Sequence, residues 1–186
     1  MAEPLKPLNL MNWIDEHRDE FLKPVGNKEV WLGGEFINFV SGANSRNDFH
    51  INPGDEIFIQ LKGDVRVDLQ VDGKRVINRL REGEILLVPA GVPHAPRRPD
   101  GSWGYVVERQ RKPGELDRFA WHCENCNTKL HEVEFQLESI VTQFAEKLKE
   151  YDADEAGRTC PNCGVVLNVY EEFTMDSQVT PGAVTL

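Results

Sequence analysis

Apolar residues in the N-terminal stretch fall at Leu10, Trp13, Ile14 and Phe21, with His17 completing the spacing. That period, near 3.6, predicts an amphipathic helix along 10–21, stopped by Pro24. From Glu29 the pattern changes to short runs rich in β-branched and aromatic residues, at 30–32, 36–40, 56–61, 65–71, 74–77, 85–88 and 104–108, separated by Gly, Asn, Asp and Pro. Val65 to Val71 alternates strictly, as a half-buried strand does, and Asp72-Gly73 supplies the positive-φ pair of a tight hairpin. Many short strands with regular turns predict a sandwich or barrel whose closure hides its edges and encloses a small cavity. After Pro113-Gly114, Val133, Leu137, Ile140, Val141, Phe144 and Leu148 set out a second helical stripe, followed by a polar linker at 151–158 and a loose tail at 176–186. The expected organisation is an N-terminal helix and arm at 1–28, a β-barrel at 29–113, and a small metal-binding helical appendage at 114–186, with the Pro-rich residues 1–8 draped over the surface.

The totals narrow the partners. The 186 residues suffice for one full domain and an appendage, and the formal net charge of −10 sets the chain against phosphate backbones, since its basic clusters are short. No stretch approaches the roughly 20 apolar residues that span a bilayer. The opening Met1-Ala-Glu-Pro has no signal pattern, so the cytoplasm is the expected location.

Two stretches carry the chemistry. Asp48-Phe49-His50-Ile51-Asn52-Pro53-Gly54-Asp55-Glu56 offers a histidine and a carboxylate ahead of one apolar run, and the run 85–88 leads into Pro89-Ala90-Gly91-Val92-Pro93-His94. Taken alone, His50 and Glu56 read more simply as polar surface or satisfied core residues. With His94 they make two imidazoles and a carboxylate, which on one face of an octahedron leave open positions and suit a catalytic transition metal, Fe(II) above all. All four cysteines lie in C-x-x-C pairs, Cys123/Cys126 and Cys160/Cys163, the spacing of a tetrahedral four-sulfur site for Zn or a single iron. A redox C-x-x-C and two disulfides are the competing readings. Gly164 after the second pair and Asn127 after the first both tolerate the left-handed turn that such knuckles need.

Gly83, Pro89, Gly91 and His94 complete the second motif of the cupins, and Asp48 to Gly63 resembles the first, with Asp48 in place of its earlier histidine and one extra residue between His50 and Glu56. The resemblance implies a cupin jelly-roll (double-stranded β-helix) barrel, mainly β, holding its metal through His50, Glu56 and His94. Narrower stretches, Pro24 to Lys28, Asn44 to His50, Pro93 to Pro99 and Val107 to Arg111, resemble the 3-hydroxyanthranilate 3,4-dioxygenase family. The two cysteine pairs resemble the bacterial and fungal form of that family, with its rubredoxin-like site. The resemblance implies Fe(II)-dependent ring opening of 3-hydroxyanthranilate by dioxygen to 2-amino-3-carboxymuconate semialdehyde. This product closes to quinolinate on the kynurenine route of tryptophan catabolism to NAD. It further implies a homodimer, a substrate-carboxylate clamp at Arg98, a dioxygen contact at Arg46, a substrate contact and proton carrier at Glu108, and a weaker polar contact at Asn27. Arg97 is expected to be a solvated neighbour, His17, His122 and His131 incidental, and the second metal site, Fe or Zn on Cys123, Cys126, Cys160 and Cys163, structural, with no sequence feature linking it to the barrel site.

The other readings are a cupin isomerase or epimerase, a non-catalytic metal or ligand sensor, and a rubredoxin-like electron carrier with an attached β-domain. Arginines clustered around the His/Glu/His set favour the dioxygenase.

Overall fold

A computed structural model describes residues 6–177 and 179–186; the first residues of the expected Pro-rich arm, 1–5, lie outside them. Among the described residues, twelve strands build two facing sheets. In chain order they are β1 (Asn27–Glu29), β2 (Phe36–Ser41), β3 (Phe49–Ile51), β4 (Glu56–Lys62), β5 (Val65–Val71), β6 (Lys74–Leu80), β7 (Ile85–Val88), β8 (His94–Arg97), β9 (Trp103–Arg109), β10 (Asp117–His122), β11 (Lys129–Phe135) and β12 (Val184–Thr185). One sheet has the order β1-β2-β9-β4-β7 and the other β11-β10-β3-β8-β5-β6-β12. The only parallel pair among the described strands is β12 with β6.

Period-2 patterning decides what fills the space between the sheets. Along β4, Glu56, Phe58 and Gln60 are buried while Ile57 is exposed. On β9, Gly104, Val106 and Glu108 share one face. Phe58, Val65, Val67, Val106, Phe119 and Trp121 form the centre of the core, and burying one such side chain is worth about 1.5–3 kcal/mol. The β5–β6 hairpin closes as its sequence requires, with Asp72 at φ 48° and Gly73 at φ 73° between partners Val71 and Lys74.

Several expectations shift. Helix α1 covers only Leu10–Glu16, capped at its start by Asn9, and a short 3-10 turn takes Arg18–Glu20. His17 ends α1 with its ring stacked on Trp13. Residues 30–32 are not a strand; β1 lies just before them. In the C-terminal region Val133 sits on β11, so the helical stripe is shorter than its spacing implied: α2 (Thr142–Asp152) begins where the Ser139 hydroxyl accepts from the Val141 and Thr142 amides. Phe144, Leu148 and Tyr151 anchor α2 to the main core. The stretch 151–158 contains α3 (Glu155–Arg158) rather than only a linker. The tail is tied down by β12, with the Leu186 amide donating to the Ile77 carbonyl at 3.0 Å. Residue 113 lies between β9 and β10, and β10 then pairs with β3, so strands from both sides of that position share one sheet.

Candidate metal centre

His50, Glu56 and His94 come together where the two sheets meet. His50 and His94 are register partners on the neighbouring antiparallel strands β3 and β8, while Glu56 opens β4 in the other sheet. The chain changes sheets through Asn52–Asp55, and the Gly54 amide donating to Asn52 Oδ1 at 2.8 Å tightens that turn. One ligand-capable atom from each of the three residues lies within 4.8 Å of the others, and all three residues are buried. His94 Nε2 is 3.0 Å and His50 Nδ1 3.8 Å from Glu56 Oε2. An octahedron with bonds near 2.1 Å has edges of roughly 3 Å, so a metal fits with small adjustment.

The far nitrogen of each ring is occupied. His94 Nδ1 donates to the Val92 carbonyl at 2.9 Å, and His50 Nε2 donates to Asp117 Oδ1 at 2.7 Å. Each bond keeps the far nitrogen protonated, so the nitrogen facing Glu56 is the one that a metal would take in place of a proton. Asp117 is held in turn by Arg111, through Nε at 2.8 Å and Nη2 at 2.5 Å. Arg111 also donates to Glu108 Oε2 at 2.9 Å, and Asn52 links Glu108 to Glu56.

These contacts set the charges. Burial alone raises the Glu56 carboxyl, but His94 and His50 hold it down at about 2. Burial and the neighbouring Glu56 push Glu108 well above the usual carboxylate range, against the pull of Arg111, and Glu108 Oε1 has no hydrogen-bond partner. Two carboxylates on register-paired positions of β4 and β9 are thus driven apart, Glu56 toward the ionised form and Glu108 toward the protonated one.

The cavity over His50, Glu56 and His94 is also lined by Asn27, Asn44, Arg46, Phe58, Val106 and Phe144. Arg46 is gripped by Asp48, with Nε to Oδ1 at 2.6 Å, and its guanidinium lies over the Phe119 and Phe144 rings at 4.8 and 4.9 Å. Asn27 accepts from the Ser41 hydroxyl at 2.8 Å. Arg98 and Glu108 do not line this space. Both continue the strand faces that do, Arg98 following His94 and Pro96, and Glu108 following Val106. Arg98 is 1 % exposed, donates to Gln60 Oε1 at 3.0 Å, and has no carboxylate within 4.0 Å among the described residues. Burial pulls its pKa down to about 10, which leaves it cationic. Gly104 makes the room, since a Cβ there would meet Arg98 Nη1 at 2.5 Å.

Arg97 contradicts its expected solvation: it is 5 % exposed and donates to Glu124 at 2.8 Å. Sequence reasoning also missed Asp117, Arg111 and Asn52. Arg111 stood within a recognised stretch, but Asp117 acquires its role only when β10 pairs beside β3.

The four sulfurs form a second cluster. Cys123–Cys163 and Cys126–Cys160 are each 3.5 Å apart and Cys126–Cys163 3.6 Å, with no disulfide. A tetrahedron of 2.3 Å metal–sulfur bonds puts its sulfurs about 3.8 Å apart, so the cluster fits a thiophilic metal. Asn127 at φ 60° and Gly164 at φ 74° close the two knuckles, and the Thr128 hydroxyl and amide hold the Cys126 thiol down at about 5. His122 and His131 stay outside the cluster; His122 bonds the Asn127 carbonyl and His131 stacks on Tyr151.

The model of the 3-hydroxyanthranilic acid dioxygenase family matches residues 2–152. The chain belongs to that family. A 3-hydroxyanthranilate 3,4-dioxygenase from Bacillus thuringiensis is 40 % identical over 90 % of this chain and 94 % of its own. Another of the same name from Burkholderia cenocepacia is 44 % identical over 87 % of this chain and 92 % of its own. Among solved structures, a cupin-2 domain containing protein from Shewanella frigidimarina shares 16 % identity, covers 52 % of this chain and 92 % of its own, and has a TM-score of 0.42.

Proposed function

We propose that this chain opens the ring of 3-hydroxyanthranilate with dioxygen to give 2-amino-3-carboxymuconate semialdehyde, which cyclises to quinolinate. One ring carbon–carbon bond breaks, both oxygen atoms enter the product, and no outside reductant is consumed. The observation that carries the reading is a buried arginine without a carboxylate of its own, set just past the strand that carries His94, a ligand of an open metal site. A buried unpaired cation is costly to a fold, and a substrate carboxylate repays the cost.

His50, Glu56 and His94 hold the metal, for which Fe(II) suits the donor set. When bound, it supplies the Lewis acid and electrons that bring dioxygen to the ring. Arg98 exchanges its bond to Gln60 for a two-point grip on the substrate carboxylate. That grip turns the vicinal hydroxyl and amine toward the metal ligands. Glu108, its carboxyl pushed up by burial and by Glu56, takes up a proton beside those groups and returns it as the ring opens. Arg46 places fixed positive charge, already ordered by Asp48, where negative charge grows on oxygen. Asn27 offers a polar contact on the same wall.

The four-cysteine cluster takes Fe or Zn, and free thiols poised as ligands suit a reducing cytoplasm. The active form is a homodimer. The outer face of the five-stranded sheet supports this, since it exposes Phe36, Ile57, Ile85 and Leu87 together.

Product analysis tests the reaction. Protein loaded anaerobically with Fe(II), given 3-hydroxyanthranilate and then air, should yield a ring-opened chromophore that decays to quinolinate. Substrate recovered unchanged from protein shown to carry barrel iron would refute the substrate assignment.

A further inference from the structure

The four-cysteine cluster is not isolated from the barrel site, because both knuckles run to the segment that carries Arg46. Glu124 lies between Cys123 and Cys126, and its carboxylate accepts from Arg97 at 2.8 Å, from Arg75, and from the Thr180 hydroxyl at 3.2 Å. Arg97 then donates to the carbonyls of Arg46 and Asn47, each at 3.4 Å. From the second knuckle the chain returns along the other side of the same segment. Asn47 donates to the Asn168 carbonyl, Arg46 and Tyr170 form an antiparallel bridge, and the Glu171 amide donates to the Ser45 carbonyl at 2.9 Å. The backbone at 45–47 is therefore clamped from two directions while the Arg46 side chain faces the cavity.

The charges make the clamp conditional on the knuckles. Arg75 and Arg97 are both buried. Of the other nearby carboxylates, Asp48 is bonded to Arg46, and Asp68 is bonded to Arg66 at 2.7 and 3.0 Å and stands 3.7 Å from each of them. Glu124 is thus their hydrogen-bonded counter-charge, and it stays in place only while the first knuckle keeps its shape. Four sulfurs lying within 4.8 Å of one another, three of their pairs 3.5–3.6 Å apart, keep that shape when a metal ties them.

We propose that the four-cysteine centre is a remote positioning device for Arg46, with Glu124 and Arg97 as the positioning residues that carry its state to the backbone at 45–47. The proposal rests on the reading of Arg46 as the charge facing dioxygen. It gives the second metal a part in the reaction without an electron path to the barrel.

Two variants test it. Cys163→Ser, checked by metal analysis for loss of one metal, is compared with the wild type by amide hydrogen exchange without substrate. Exchange at 45–47 and 168–171 should quicken while 85–88 stays unchanged; unaltered protection at 45–47 would overturn the link. Being read without substrate, this arm decides the link even where the proposed reaction is refuted. Glu124→Gln keeps all four thiolates and cuts only the charge, which guards against a Cys163→Ser protein that fails to fold. It should also quicken exchange at 45–47, and lower kcat/KM for dioxygen by about tenfold while moving KM for 3-hydroxyanthranilate less. In an Arg46→Lys background it should change kcat/KM for dioxygen by less than about twofold. A full additive effect in that background, or a lowered melting temperature with unchanged kcat/KM for dioxygen, would overturn the proposal.

Discussion

Asp117→Asn is the substitution whose consequences the geometry defines most closely. Asp117 is wholly buried, accepts from His50 Nε2 at 2.7 Å, and takes two bonds from Arg111. Asparagine keeps the volume but removes the charge, so His50 loses the carboxylate that fixes its tautomer and strengthens Nδ1 as a donor. Carboxylates behind metal-binding imidazoles are worth about 10–100-fold in metal affinity, or about 1.4–2.7 kcal/mol. Arg111 loses Asp117, its ionised counter-charge, and keeps its bond to Glu108. Breaking a buried pair costs about 3–5 kcal/mol; removing the Asp117 charge lets Glu108, 2.9 Å from Arg111, ionise in its place, so the low end, about 3 kcal/mol, applies. Anaerobic Fe(II) titration should show the weakened site, and a urea melt of the metal-free protein should show a midpoint lowered by on the order of 1 M. A folded Asp117→Asn protein with wild-type iron affinity would refute the assignment of Asp117 as the orienting partner of His50.

Other predictions separate the remaining roles. Arg98→Met should weaken 3-hydroxyanthranilate binding by about 10–100-fold, measured by anaerobic titration, while leaving the free protein as stable or more stable, because an unpaired buried cation is removed; intact affinity would take Arg98 out of the clamp. Glu108 has a folded pKa above its unfolded value of 4.5, so its contribution to stability is complete below 4.5 and is lost as pH rises toward the folded value. Glu108→Gln should therefore flatten the loss of stability above that pH in urea melts, and an unchanged slope would show that Glu108 ionises normally. Leu87→Lys, on the exposed outer face of the five-stranded sheet, should turn the proposed dimer into a monomer in light scattering at equal concentration; a dimer that survives it uses another surface.

Legibility in the sequence followed how local each cause was. Strand β5 was readable to its ends because Val65 to Val71 alternates and Asp72-Gly73 can close the hairpin without help. Strand β8 was hidden because His-Ala-Pro-Arg has no apolar alternation; both its faces are buried, one against the cavity and one against the charged outer cluster. Only the end of β11 reads as helix, because Val133 and Leu137 stand four apart, while the deciding pair, Val133 and Phe135, stands two apart. The three barrel ligands and four cysteines were legible because their spacing is itself a motif, and the structure brings each set together. Asp117, Arg111 and Glu124 were not, because each acts through a partner that only strand pairing or sheet packing supplies.

The most direct measurement is oxygen uptake per barrel iron by anaerobically reconstituted protein, run beside His50→Ala, Glu56→Ala and His94→Ala. One dioxygen consumed for each 3-hydroxyanthranilate, with uptake and iron lost together in all three variants, is the result predicted here. Full uptake in any one of them, or none from wild-type protein holding barrel iron, would contradict the account.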